Sequence, residues 1–270
     1  MNDEPGGRAL QSDTQHPMSR DMAGFDRDHA QALRRIWFLG DVHGEFRHIA
    51  QALLDAPEKP SWLVFLGDID IDHKPFREIL EPLGRNLPGV RVAFIHGNHD
   101  ADNYEHWAML HDCGDAVALH AQVVDLDGIT VAGLGGNFLG RVWYPPGEIK
   151  FESKDAAMNR GAYQWRGGQR PSPSLLAAIY PNDVAHLSQQ RADILVTHEA
   201  PSCHPHGFAA LDELARSLQV VRSFHGHQHD DLSDDYALVR EELGFDARAV
   251  AFRSIKNGLG EGIYTGPVGW

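Results

Sequence analysis

Cysteine is scarce: Cys113 and Cys203 are the only two in 270 residues. That is too few for a disulfide framework, so a reducing compartment is the simpler reading and free thiols are expected. No apolar run approaches the roughly 20 residues that span a bilayer. The N-terminus also lacks the basic-then-apolar order of a secretory signal, so the chain reads as cytoplasmic with no membrane segment. Positive charge is short as well, with 24 Lys and Arg against 38 Asp and Glu and a formal charge of −14. Non-specific nucleic-acid affinity comes mainly from Lys and Arg neutralising phosphates, which makes a nucleic-acid partner unexpected. Internal repeats and low-complexity tracts are lacking.

What is present is enough apolar material, 42% of residues, for a substantial core in one domain. Residues 1–33 mix Gly, Pro and polar side chains without periodicity and read as a mobile tail before a domain over 34–270. Ile36-Trp37-Phe38-Leu39 then opens the domain as a short buried strand, and Phe46, Ile49, Ala50, Leu53 and Leu54 mark one apolar helix face. Similar apolar runs stand at Trp62 to Leu66, Val90 to Ile95, Ile194 to Val196 and Val220 to Phe224. A hairpin is expected from Ala121 to Leu134, turning at Asp127-Gly128.

Just past these runs come five polar motifs: Asp41-x-His43, Gly67-Asp68, Gly97-Asn98-His99-Asp100, Thr197-His198 and Gly226-His227-x-His229. Asp41 to Asp68 spans 27 positions, Asp68 to Asn98 30 and His198 to His227 29, each about one strand-helix-strand unit. Loops at the carboxyl ends of neighbouring strands converge in an open α/β sheet, so residues scattered along the chain can meet. Their donors are carboxylates, an amide oxygen and imidazoles, a set suited to Zn, Mn or Fe rather than to soft thiolate metals. Seven donors are too many for one tetrahedral ion and suit two ions.

The set of motifs resembles the calcineurin-like metallophosphoesterases over about Ile36 to His229. The resemblance implies two mixed β-sheets packed face to face and flanked by helices. It further implies that Asp41, His43 and His229 hold one divalent ion, that Asn98, His198 and His227 hold a second, and that Asp68 bridges them. The ions are expected to be Mn, Fe, Zn or Ni, and the activity to be hydrolysis of phosphate monoesters or diesters by a metal-bridging hydroxide. His99, next to a ligand and unable to point at the same ion, is the expected general acid. Asp100 either holds the His99 imidazole or caps a helix over Ala101 to Leu110.

One feature separates this chain from the protein phosphatases within that family. Gly67-Asp68 continues Ile69-Asp70-Ile71-Asp72, placing a carboxylate where those enzymes carry a phosphate-gripping Arg. Gly40-Asp41-Val42-His43-Gly44 nevertheless looks like the phosphatase and dinucleoside-polyphosphate hydrolase branch. The excursion at about 137–173 is rich in Gly, Pro and aromatics and reads as a lid. From Asn137 to Arg170 it holds six basic and three acidic residues, so Arg141 and Arg166 are candidates for gripping a substrate such as a nucleotide or phosphopeptide. Cys203-His204-Pro205-His206 is either a second metal cluster or a loop rimming the site. The rival class is a metal-binding scaffold without activity, although all seven ligand positions and His99 are intact.

Overall fold

In the computed structural model, residues 27–159 and 170–267 are described. A helix α1 (Arg27–Arg34) precedes β1 (Ile36–Leu39), α2 (Arg47–Asp55), β2 (Trp62–Leu66), α3 (Phe76–Asn86), β3 (Arg91–Ile95), α4 (Tyr104–His111) and β4 (Val117–Ala118). The hairpin β5 (Gln122–Leu126) and β6 (Ile129–Leu134) follows, turning at Asp127 and Gly128, both with positive φ. Then come α5 (Lys154–Asn159), α6 (Pro181–Leu187), β7 (Ile194–Thr197), α7 (Ala209–Leu218) and β8 (Arg222–His225). The described chain closes with α8 (Ser233–Ala237), α9 (Arg240–Leu243), β9 (Asp246–Ala249), β10 (Ile255–Asn257) and β11 (Gly262–Tyr264).

These strands form two mixed sheets, ordered β11-β10-β1-β2-β3-β4 and β5-β6-β7-β8-β9. Strands β1 to β4 run parallel, as do β6 to β9, while β10, β11 and β5 pair antiparallel. The period-2 alternation of strand side chains explains why both faces of each sheet are apolar. Phe38, Val64, Leu66 and Ile95 point toward the other sheet, where they meet Val131, Val196 and Phe224. The rings of Phe38 and Phe224 stack at 4.0 Å. Trp37, Leu39, Leu63 and Phe65 point the opposite way, onto Ile49 and Leu53 of α2. On the second sheet Leu195 and Ala247 pack with Leu211, Leu214 and Leu218 of α7. The result is the expected helix, sheet, sheet, helix layering.

Two expectations shift. Helix α1 starts inside the segment read as a tail, and its Leu33 is buried in the inter-sheet core; residues 1–26 lie outside the described residues. The excursion carries a small core of its own, in which Val142, Phe151 and Ala157 pack with Leu175, Ala178 and Tyr180. Its Trp143 lies edge-on to Phe138 and its Tyr144 to Phe208, which anchors it to the body. Residues 160–169, including Arg160, Tyr163, Trp165 and Arg166, lie outside the described residues. Among the described residues no helix is long and apolar enough to cross a membrane.

Candidate metal centre

All five motifs follow the carboxyl ends of parallel strands β1, β2, β3, β7 and β8, and the parallel pairing of each sheet brings those ends to one side. Close approach is possible because of the glycines. A Cβ on Gly97 would collide with the Asp68 carboxylate and the His198 ring, and one on Gly226 with the Asp41 carboxylate. Four of the candidate ligands, His43, Asp68, His227 and His229, have φ between 41° and 67°. Non-glycine residues seldom adopt that conformation, and such strain gathers at functional sites.

Two groups of donors result: Asp41, His43 and His229, and Asp68, His198 and His227, with the ligand atoms of each group within 4.8 Å of one another. In the first, His43 Nε2 lies 3.4 Å from His229 Nε2, which is 3.1 Å from Asp41 Oδ2. In the second, His198 Nε2 is 3.4 Å from Asp68 Oδ2 and 3.1 Å from Asn98 Oδ1. Asp68 Oδ2 also lies 3.9 Å from His43 Nε2, so a single carboxylate oxygen faces both groups.

Four of the donors are aimed by second contacts. His198 Nδ1 is 2.9 Å from the Leu66 carbonyl and donates to it, which turns Nε2 inward. Asp70 Oδ2, 3.3 Å from His43 Nδ1, does the same for His43. The backbone N–H of His227 donates to Asp41 Oδ2 and that of His99 to Asp68 Oδ1, both at 2.8 Å. Asp41 Oδ1 is buried without a hydrogen-bond partner. A buried carboxylate oxygen left without a donor calls for positive charge nearby, and this hard and borderline donor set fits divalent Mn, Fe, Zn or Ni.

The titration behaviour reflects the same field. Burial opposes charge on His198, but Asp68 and Asp41 outweigh it and push its pKa up to about 10. Burial raises Asp68, yet His198 and the His99 N–H hold its carboxyl well below the usual range. A proton on His198 thus takes part of the place a metal would hold. His43 is raised too, burial being outweighed by Asp70 and the two ligand carboxylates. His227 goes the other way, to about 4, because of burial and then the neighbouring His198.

Asp100 requires a correction. It neither reaches the His99 ring nor caps the following helix. Its carboxylate is buried and accepts from Gly97 N at 2.8 Å and Asp70 N at 2.7 Å, which ties the third motif to the second. The cap of α4 is Asn103, accepting from Glu105 and His106. The partner of His99 is Asp102, with 3.1 Å between Nδ1 and Oδ2. The reason is the turn type: residues 99–101 form a 3₁₀ turn, in which positions i and i+3 eclipse, so Asp102 falls beside His99.

Asp70, Asp102 and Glu199 were not singled out in the sequence. Glu199 is buried, its Oε2 lies 3.9 Å from His227 Nε2, and burial pushes its pKa up to about 7. Being next in sequence to a ligand was the one signal that marked it. The Arg141 guanidinium bonds the Ser174 hydroxyl, and Arg166 is outside the described residues. His204 is buried with Nε2 3.3 Å from Asp230, and its Nδ1 accepts from His206 N, so this segment is a self-bonded loop. Among the described residues, no metal-binding group of three includes it.

The sequence model of the calcineurin-like phosphoesterases matches residues 34–231. An uncharacterized protein of Haemophilus influenzae is 32% identical over 228 residues, covering 83% of this chain and 94% of that protein. Among solved structures, TT1561 of Thermus thermophilus aligns over 83% of this chain and 94% of its own at 12% identity and a TM-score of 0.47. A 5'-nucleotidase of Candida albicans aligns over 82% of this chain and 46% of its own, with 12% identity and a TM-score of 0.40.

Proposed function

Because this chain belongs to the calcineurin-like phosphoesterase family, we propose that it hydrolyses phosphate monoesters or diesters at a centre of two divalent transition-metal ions. Asp41, His43 and His229 would hold one ion and Asn98, His198 and His227 the other, with Asp68 between them. The observation that carries this reading is the Asp68 carboxylate facing both His43 and His198. Bound there, such ions neutralise phosphoryl oxygens and acidify the attacking water.

The chain's own residues supply the rest. His99 stands at the rim, nearly half exposed, where a leaving oxygen can be met, and delivers the proton that oxygen needs. Asp102 holds the imidazole so that Nε2 carries that proton outward. Arg141 and Arg166, on the excursion, are assigned to parts of the substrate remote from the phosphorus, where binding lowers KM.

The test is hydrolysis of nitrophenyl phosphate and bis-nitrophenyl phosphate by purified protein supplied with Mn, Ni, Zn or Mg. Activity above the metal-salt background is expected, and the ratio of the two rates separates monoesterase from diesterase. A folded, metal-loaded protein inactive on both esters, and on a panel of nucleotides, dinucleoside polyphosphates and phosphopeptides, would be a scaffold instead.

A further inference from the structure

The first motif is held from outside the segment that matches the family. Residues 250–254 join β9 to β10 and bond to Gly40 and to all three residues of the motif. Gly40 N donates to the Ser254 carbonyl at 3.0 Å and Arg253 N to the Asp41 carbonyl at 3.2 Å. The Arg253 guanidinium donates through Nε to the Val42 carbonyl at 3.1 Å and through Nη2 to the His43 carbonyl at 3.4 Å. On the fifth motif, Phe252 N donates to the His229 carbonyl at 3.4 Å. The Phe252 ring lies 5.7 Å from the His43 ring and 4.9 Å from the His229 ring. Gly40 belongs to the same joint, since a Cβ there would collide with the carbonyls of Val250 and Ala251.

The loop's contacts with the motifs fall on the Asp41, His43 and His229 side. Asp68 and His198 are aimed by other groups, the His99 N–H and the Leu66 carbonyl. A guanidinium beside a cation's ligands works against that cation by charge alone. What it offers is a rigid fork of donors able to bond two successive carbonyls, which a lysine ammonium cannot reproduce. The ring of Phe252, 4.6 Å from the guanidinium carbon, supports the fork. Arg253 also has φ 53°, so the loop holds its own backbone in an uncommon conformation in order to place that fork.

We propose that Arg253 is a positioning residue for the ion held by Asp41, His43 and His229, fixing the turn on which His43 has its left-handed backbone; this rests on the two-ion reading above. Groups that orient ligands from behind are typically worth about 10- to 100-fold in metal affinity.

The test uses the full-length protein. Arg253→Asn removes the fork while keeping a residue that tolerates positive φ. Calorimetric titration with Mn(II), checked by elemental analysis after dialysis, should show one ion weakened by about tenfold or more and the other nearly unchanged. In metal-free protein, amide hydrogen exchange over residues 40–44 should speed up. Arg253→Lys keeps the charge without the fork and should resemble Arg253→Asn in both measurements; it also carries the test if Arg253→Asn fails to fold. Wild-type affinity for both ions in either variant, or equal weakening of both ions, overturns the proposal. Wild-type protein that binds fewer than two ions refutes the two-ion reading itself, and the exchange measurement still reports on the loop.

Discussion

The Nδ1 of His99 lies 3.1 Å from Oδ2 of Asp102, with both side chains about half exposed. Burial disfavours charge on this imidazole, but the hydrogen bond to Asp102 and the charge of Asp68 outweigh it, so its pKa sits above the ordinary 6.5. Asp102→Asn removes one of the raising influences and the pKa should fall. A general acid acts in its protonated form, so the alkaline limb of kcat against pH on an alkyl phosphate should move to lower pH. A limb that stays in place excludes Asp102 from that role.

Asp100 gives a prediction about stability. Its carboxylate satisfies two buried N–H groups, and leaving each unpaired costs about 1–3 kcal/mol. Asp100→Ala should therefore lower the unfolding free energy of metal-free protein by about 2–6 kcal/mol in urea titrations. Burial and then the charge of Asp68 push the Asp100 pKa up from 3.8 to about 7. The folded state holds this proton more tightly than the unfolded one, so the group's contribution is complete below about pH 4 and is lost as pH rises toward 7. Wild-type stability should thus decline over that window relative to Asp100→Asn, and parallel pH profiles would contradict the assignment.

Asp68 and Asp41 should differ in what they hold. Asp68 faces both ligand groups, whereas Asp41 contacts the group of His43 and His229 and steadies His227 only through its backbone. Elemental analysis after dialysis should find both ions reduced in Asp68→Asn and one retained in Asp41→Asn. Metal binding should also release protons, because the Asp68 and Asp41 carboxylates push the His198 pKa up to about 10. Titrations in buffers of different ionisation enthalpy count those protons, and a count of zero would mean that His198 is already neutral before the metal binds.

How much of this was legible in the sequence depended on whether a feature was local. The strands ahead of each motif were, because Ile36 to Leu39 and Trp62 to Leu66 are buried on both faces and read as unbroken apolar runs. The turn at Asp127-Gly128 was, because two positive φ values need such residues. The donors that lie together in two groups stood out in the sequence because each follows a strand, most of them beside a glycine. Asp102 was missed since spacing along the chain does not reveal a 3₁₀ turn, and Asp100 was misread for the same reason. The loop of Phe252 and Arg253 was missed because it acts mostly through backbone carbonyls, which leave no trace in side-chain identity. Helix α1 escaped because Leu33 is the one deeply buried residue over 29–34, in an otherwise largely polar stretch.

The enzyme reading depends most on His99. If it protonates the departing oxygen, its loss should matter in proportion to how badly that oxygen needs a proton. The need is severe for an alkyl ester such as glycerol phosphate and slight for nitrophenolate, which departs unaided. General acid catalysis is typically worth about a hundred- to ten-thousand-fold. His99→Asn should therefore cut turnover steeply on alkyl phosphates while sparing much of the activity on nitrophenyl esters. Metal content should hold, because the His99 ring turns toward Asp102 and only its backbone N–H bonds the Asp68 carboxylate, a contact the substitution preserves. Equal losses on both ester types would instead make His99 a clamp on the phosphoryl oxygens, and loss of metal would make it part of the scaffold of the site. Full activity on alkyl esters would remove it from the mechanism and leave the leaving group to be protonated by solvent or by another side chain at the rim.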